Sequence, residues 1–89
     1  MRKLFILLAL VSSPLIPAYA KKDCTTAPKE KWMSEADFKK AVEAKGYKIA
    51  KFKQPGSCYE IYGTRSDGKE VEVYFDPTDA KVVKEKIED

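Results

Sequence analysis

The 89-residue sequence predicts an α+β fold, one helix packed on an antiparallel meander of three to four strands. Three observations predict it. A single capped amphipathic segment stands at residues 35–45. Two segments of period-two alternation follow, residues 58–64 and 70–75, with the turn signal Asp67-Gly68 between them. No repeat, linker or low-complexity segment interrupts the order.

The helix is marked at both ends. Ser34 is a good N-cap, with Asp37 three residues on, at the position where a capping box usually has Glu. Met33 and Phe38 occupy the hydrophobic-staple positions. Phe38, Ala41 and Val42 form an apolar stripe at i, i+3, i+4. Gly46 provides the stop. A first strand is expected over residues 47–54, with its alternation broken near Ala50, so a bulge or bend is expected there. Gln54-Pro55-Gly56-Ser57 turns the chain, and Asp76-Pro77-Thr78-Asp79 turns it again. Residues 81–86, apolar only at Val82 and Val83, make a weaker fourth strand.

Two loop lengths compete for the central hairpin. A two-residue loop sets Ile61 opposite Tyr74. A three-residue loop, Ser66-Asp67-Gly68, sets Tyr59 opposite Phe75, Ile61 opposite Val73 and Gly63 opposite Val71. Only the second makes one face apolar throughout, and a slip of one residue would turn every side chain over. The three-residue loop is therefore expected. Phe38, Ala41 and Val42 should then pack on Ile49, Tyr59, Ile61, Val71, Val73 and Phe75.

The amino terminus reads as a cleaved secretory signal peptide over residues 1–20: basic Arg2-Lys3, an apolar run over residues 4–11, and the small-x-small end Ala18-Tyr19-Ala20. The run is shorter than the roughly 20 residues a transmembrane helix needs. Residues 21–31 form a polar N-terminal arm, and residues 32–89 the α+β domain. The chain from residue 21 has 15 basic and 14 acidic side chains, net +1. That balance gives no footprint for nucleic acid or an anionic membrane, and no membrane anchor is expected after cleavage. An exported, periplasmic or secreted chain of this size with two cysteines reads as having one disulfide, Cys24 to Cys58.

The chain has no histidine. Ser-His and Cys-His nucleophile pairs, haem attachment through C-x-x-C-H and the usual zinc sites are excluded. No cofactor is implied and no catalytic residue is assigned. Residues 63–69, G-T-R-S-D-G-K, spell most of a phosphate-binding loop. However, Glu70 replaces the magnesium-holding hydroxyl, and a strand follows where a helix is required.

The chosen register places Glu60, Tyr62, Thr64, Glu70, Glu72 and Tyr74 on the face away from the helix. Glu60 stands opposite Tyr74, and Tyr62 opposite Glu72. Three readings compete for this patch. It is an ordinary solvated face, or a partner-binding face with the tyrosines as anchors, or a pair of catalytic carboxylates. The last needs a raised pKa, and the sequence promises no burial to raise one.

The order Trp32-Met33-Ser34, short helix, Gly46-Tyr47, C-Y-E-I-Y (residues 58–62), D-G-K-E-V-E-V-Y-F-D-P (67–77) and K-V-V (81–83) resembles the PepSY domain. The likeness is greatest to short, stand-alone, exported bacterial members. It spans residue 32 to about residue 84. One departure stands out: such domains usually close with D-P-x-T-G, and this chain has Asp76-Pro77-Thr78-Asp79-Ala80. The resemblance implies a module found in propeptides of thermolysin-like metalloproteases and in other exported or membrane-linked bacterial proteins. Such modules are proposed to restrain peptidases or to mediate periplasmic interactions, and they bring no catalytic residues.

Two functions of different class follow. The first is a non-catalytic interaction module that engages an exported protein such as a protease, through Glu60, Tyr62, Glu72 and Tyr74 or through a sheet edge. The alternative is a small-ligand or divalent-metal-responsive protein, with Glu60, Glu70, Glu72 and Asp76 as its oxygen donors.

Overall fold

A computed structural model describes residues 23–88. The expected signal peptide lies outside the described residues. After a short 3-10 turn, Lys29–Lys31, come α1 (Glu35–Ala44) and four strands: β1 (Lys48–Lys53), β2 (Tyr59–Thr64), β3 (Glu70–Asp76) and β4 (Lys81–Glu88). The strands form one antiparallel sheet in the order β1-β2-β3-β4. The α+β meander is thus the observed architecture.

Local chemistry accounts for the boundaries. Ser34 Oγ accepts from the Asp37 N–H at 3.1 Å, satisfying one donor that a helix start leaves unpaired. Glu35 and Lys39 add an i,i+4 ion pair at 2.9 Å. Helix α1 ends at Ala44, one residue before expectation, with Lys45 as C-cap and Gly46 following at φ +103°. In β1 the pairing with β2 shifts between Ile49 and Lys51, which places the expected bulge at Ala50.

The β2–β3 register is the one the three-residue loop requires. Tyr59 faces Phe75, Ile61 faces Val73, and Gly63 faces Val71. The Arg65 N–H donates to Lys69 O at 2.8 Å and the Gly68 N–H to Arg65 O at 2.9 Å. Gly68 has φ +88°, a conformation that costs other residues about 1–2 kcal/mol. Residues 63–69 are therefore a hairpin end, not a phosphate cradle.

The core lies between α1 and one face of the sheet. Phe38, Val42, Tyr59, Ile61, Val71, Val73, Phe75 and Ala80 are buried in it. Phe38 is its hub. Its ring centroid lies 5.7 Å from Phe52, 4.7 Å from Tyr59 and 5.1 Å from Phe75, in tilted and edge-on geometries that suit aromatic quadrupoles. Those three rings belong to β1, β2 and β3. Strand β4 lies beyond this shelter, and its Val82, Val83 and Ile87 are 38%, 51% and 43% exposed. It is also two residues longer than expected, because Ile87 pairs with Val71 and carries the ladder to Glu88.

The last turn resolves the missing glycine. Asp76 Oδ1 accepts from the Thr78 N–H at 2.9 Å and the Thr78 hydroxyl at 2.6 Å. The Ala80 N–H donates to Asp76 O at 2.8 Å. Ala80 takes the glycine place with φ +61° and is fully buried. Burying its methyl, worth about 0.8 kcal/mol, offsets much of the left-handed strain.

The N-terminal arm is held by more than its cysteine. Cys24 and Cys58 form a disulfide with Cα atoms 5.0 Å apart. Ser57 Oγ accepts from the Cys24 N–H at 2.8 Å and the Thr25 N–H at 3.3 Å. Trp32 packs edge-on against Tyr59 at 5.5 Å, the Tyr59 hydroxyl donates to Met33 O at 2.6 Å, and the Met33 N–H donates to Pro77 O at 2.8 Å. Residues around Trp32 and Met33 thus extend the cover that α1 gives. With a sequence separation of 34, the disulfide should contribute about 4 kcal/mol by loop closure. Unfolding in reductant should show a loss of that size, and non-reducing mass analysis should find no free thiol. Free thiols in an oxidised sample would remove the staple.

Candidate functional site

The face away from α1 carries a built cluster. Cross-strand partners share a face of a sheet. On this face β2 presents Glu60, Tyr62 and Thr64, and β3 presents Glu70, Glu72, Tyr74 and Asp76. The edge strand β1 adds Lys48, Lys51 and Lys53, opposite Thr64, Tyr62 and Glu60. The edge strand β4 adds Lys81, Lys84 and Lys86, opposite Asp76, Tyr74 and Glu72. An acidic and aromatic centre is thus bordered by three lysines on each side. Lysines on both edges also discourage an added strand, which disfavours docking by edge pairing.

The four expected face residues, Glu60, Tyr62, Glu72 and Tyr74, come together in the centre. Tyr62 and Tyr74 both donate to the same oxygen, Glu72 Oε2, each at 3.1 Å. The Lys53 ammonium stands over the Tyr62 ring, 5.5 Å from its centroid. Two tyrosines on neighbouring strands are therefore clamped by one carboxylate.

Glu60 corrects the expectation that this face offers no burial. It is 4% exposed, and Glu60 Oε2 is a buried oxygen with no hydrogen-bond donor. Its position explains this. Strand β2 is interior to the sheet, so Glu60 has Lys53 on one side and Tyr74 on the other. Along its own strand, Tyr62 lies two residues ahead and Cys58, bonded to the arm, two residues behind. Burial, followed by the hydrogen bond and charge of Glu72, pushes the Glu60 carboxyl up. Glu72 moves the other way. Its hydrogen bond with Glu60 and those from Tyr62 and Tyr74 hold it below the usual carboxylate range, against a burial effect that raises it. The Tyr62 hydroxyl, tied first of all to Glu72, is pushed up to about 12. Tyr74 is raised, chiefly by burial and then by the charge of Glu60.

A second network lies at the far end of the sheet. Arg65 donates to Asp67 at 2.6 and 3.2 Å and to Glu85 at 3.1 Å, and Glu85 also accepts from the Tyr47 hydroxyl at 3.2 Å. The Arg65 guanidinium and the Lys69 N–H hold Asp67 down at about 2. This ties the hairpin loop to β4 and to the start of β1. Arg65 and Asp67 are neighbours in the loop, but nothing in the sequence brings Glu85 to Arg65 and Tyr47 before the sheet is assembled.

The proposed oxygen donors do not converge. Glu60 and Glu72 meet, but Glu70 and Asp76 stand at opposite ends of β3. Among the described residues no three acidic or cysteine side chains gather to hold a metal ion. Among the same residues no helix is long and apolar enough to cross a membrane. The residues that sequence reasoning left out of the patch are Lys53 and the lysine borders. Their signal was the pairing of β1, whose register depends on the bulge.

No curated protein and no solved structure gives a significant match to the chain. A family model, PepSY_2, described as peptidase propeptide and YPEB domain, matches residues 3–86, nearly the whole chain. The sequence order, the helix-on-meander fold and this match agree, and the chain belongs to the peptidase propeptide and YPEB domain family.

Proposed function

We propose that the protein is an exported, non-catalytic interaction module of periplasmic or secreted location. Its tyrosine face engages, and thereby restrains, a protein of the peptidase class. The observation that carries this reading is the face itself: two half-buried tyrosines locked by Glu72, on a sheet surface that α1 leaves uncovered. Tyrosines held in one rotamer lose little entropy on contact and serve well as anchors. The family's peptidase-propeptide description supports the class of partner. The signal-like first twenty residues and the disulfide support the compartment. The absence of histidine supports a role without nucleophilic catalysis.

The test is crosslinking of the oxidised protein in an exported-protein extract of its source cell, with peptidase activity followed in parallel. The double variant Tyr62→Ala/Tyr74→Ala is the matched control. A peptidase captured and slowed by the wild type, and released by the variant, is the expected result. Capture that survives the double substitution would remove the tyrosine face from the reading. A loss of no peptidase activity at any concentration would remove restraint.

A further inference from the structure

We propose that Glu60 and Glu72 act as one proton-holding pair, and that this pair makes the tyrosine face a pH-sensitive surface. Glu60 Oε2 lies inside the sheet face without a donor, and Glu60 is 4% exposed. A carboxylate left so would carry a large desolvation cost. Its close neighbour Glu72 is already an acceptor for two tyrosine hydroxyls through one oxygen. Two carboxyl groups can hydrogen-bond to each other only when one of them bears a proton. The clamp on Glu72 keeps that residue ionised, so the proton resides on Glu60, which then donates.

Two neighbours favour the ionised form of Glu60, the Tyr62 hydroxyl by a hydrogen bond and Lys53 by its charge, but burial and Glu72 outweigh them. From β1, Lys53 faces Glu60, but its ammonium stands over the Tyr62 ring; Lys51 faces Tyr62. From β2 the titratable neighbour is Tyr62. From β3 they are Glu72 and Tyr74, with Glu70 and Asp76 beyond. From β4, Lys86 faces Glu72 and Lys84 faces Tyr74. From the arm, the disulfide does not titrate and Asp23 is exposed. When Glu60 ionises, two like charges stand on one face, one of them buried. The two neighbours that favour ionised Glu60 can relieve this, the Tyr62 hydroxyl by turning from Glu72 and the Lys53 ammonium by leaving the Tyr62 ring. Either event unlocks a tyrosine.

The direction with pH follows from linkage. Glu60 is raised, so its contribution to stability is whole below the unfolded glutamate range and is lost as pH rises through its folded value. Glu72 is lowered, so its contribution is whole above that range and is lost as pH falls through its own folded value. The singly protonated pair is favoured between the two. This holds whether or not a partner uses the face.

The experiment follows the oxidised protein alone. Thermal unfolding is measured from pH 3 to pH 8 for wild type and Glu60→Gln, and the side-chain carboxyl carbon of Glu60 is titrated by NMR in the wild type. Glutamine keeps the shape and the donor of a protonated Glu60. The wild-type Tm should therefore fall as pH rises above the unfolded glutamate range, while Glu60→Gln stays flat over that step and is the more stable beyond it. The Glu60 carboxyl should titrate above the range of an unfolded peptide. Parallel Tm profiles for the two proteins, or a Glu60 carboxyl titrating with the unfolded reference, would overturn the pair. If Glu60→Gln fails to fold, the wild-type NMR titration decides alone.

Discussion

Gly63→Ala should be among the most damaging single-methyl changes in this protein. A Cβ built at Gly63 would lie 2.0 Å from the Lys48 carbonyl oxygen and 3.0 Å from its carbonyl carbon. Both are backbone atoms of the neighbouring strand, so no side chain can swing away. Gly63 is buried and pairs with Ile49, at the point where the β1 register shifts. The methyl would push β1 off β2 at its bulge and open the ladder that carries Phe52 into the core. The expected cost is at or above the top of the about 1–3 kcal/mol range for overpacking. A fall in the urea midpoint with an unchanged slope would measure it. Gly68→Ala is the natural comparison. A Cβ there meets nothing within 4 Å, and only the φ of +88° opposes it. That change should cost about 1–2 kcal/mol. Equal effects at the two sites would mean that β1 is not held as closely as the structure shows.

Ile61→Ala and Tyr62→Ala should separate widely although the residues are neighbours. Ile61 is fully buried between Phe52 on β1 and Val73 on β3. Truncating it leaves a cavity in a core this small, at an expected cost of about 2–5 kcal/mol. Tyr62 is half-buried on the opposite face, with its hydroxyl on Glu72. Its loss should cost much less, because it removes a hydrogen bond at a half-open surface and leaves no cavity in the core. Chemical denaturation of the two variants under one buffer measures both. The reverse order would turn the sheet over and take the tyrosine face with it.

The helix could be read from the chain because its signals are local. Ser34, the Phe38-Ala41-Val42 stripe and Gly46 lie within a few residues of one another and act through their own backbone. The hairpin register could be read for a different reason. Only one pairing puts Tyr59, Ile61, Val71, Val73 and Phe75 on the same side, so the burial pattern itself excludes the slip. The bulge at Ala50 appeared as a break in alternation. The length of β4 did not, because Ile87 becomes a strand residue only when Val71 stands beside it.

The acidic face was legible in membership and not in environment. Glu60, Tyr62, Glu72 and Tyr74 followed from parity alone. The burial of Glu60 did not follow, although one clue was present. Cys58 lies two residues before Glu60, so a disulfide to Cys24 brings the start of the arm near it. The Arg65–Glu85–Tyr47 network had no such clue, since its members are brought together by three separate strands.

The sequence by itself determined the family, the helix, the order of the strands, the central register and the cysteine pair. Each of these rests on spacing along the chain or on a choice between two faces. Only the tertiary structure decided which polar groups are shut away from water and which partners they find there. Burial and hydrogen bonding belong to neighbours across strands, and so Glu60 changes from a surface carboxylate into the buried member of a pair. That change turns a patterned face into one with a chemical state of its own.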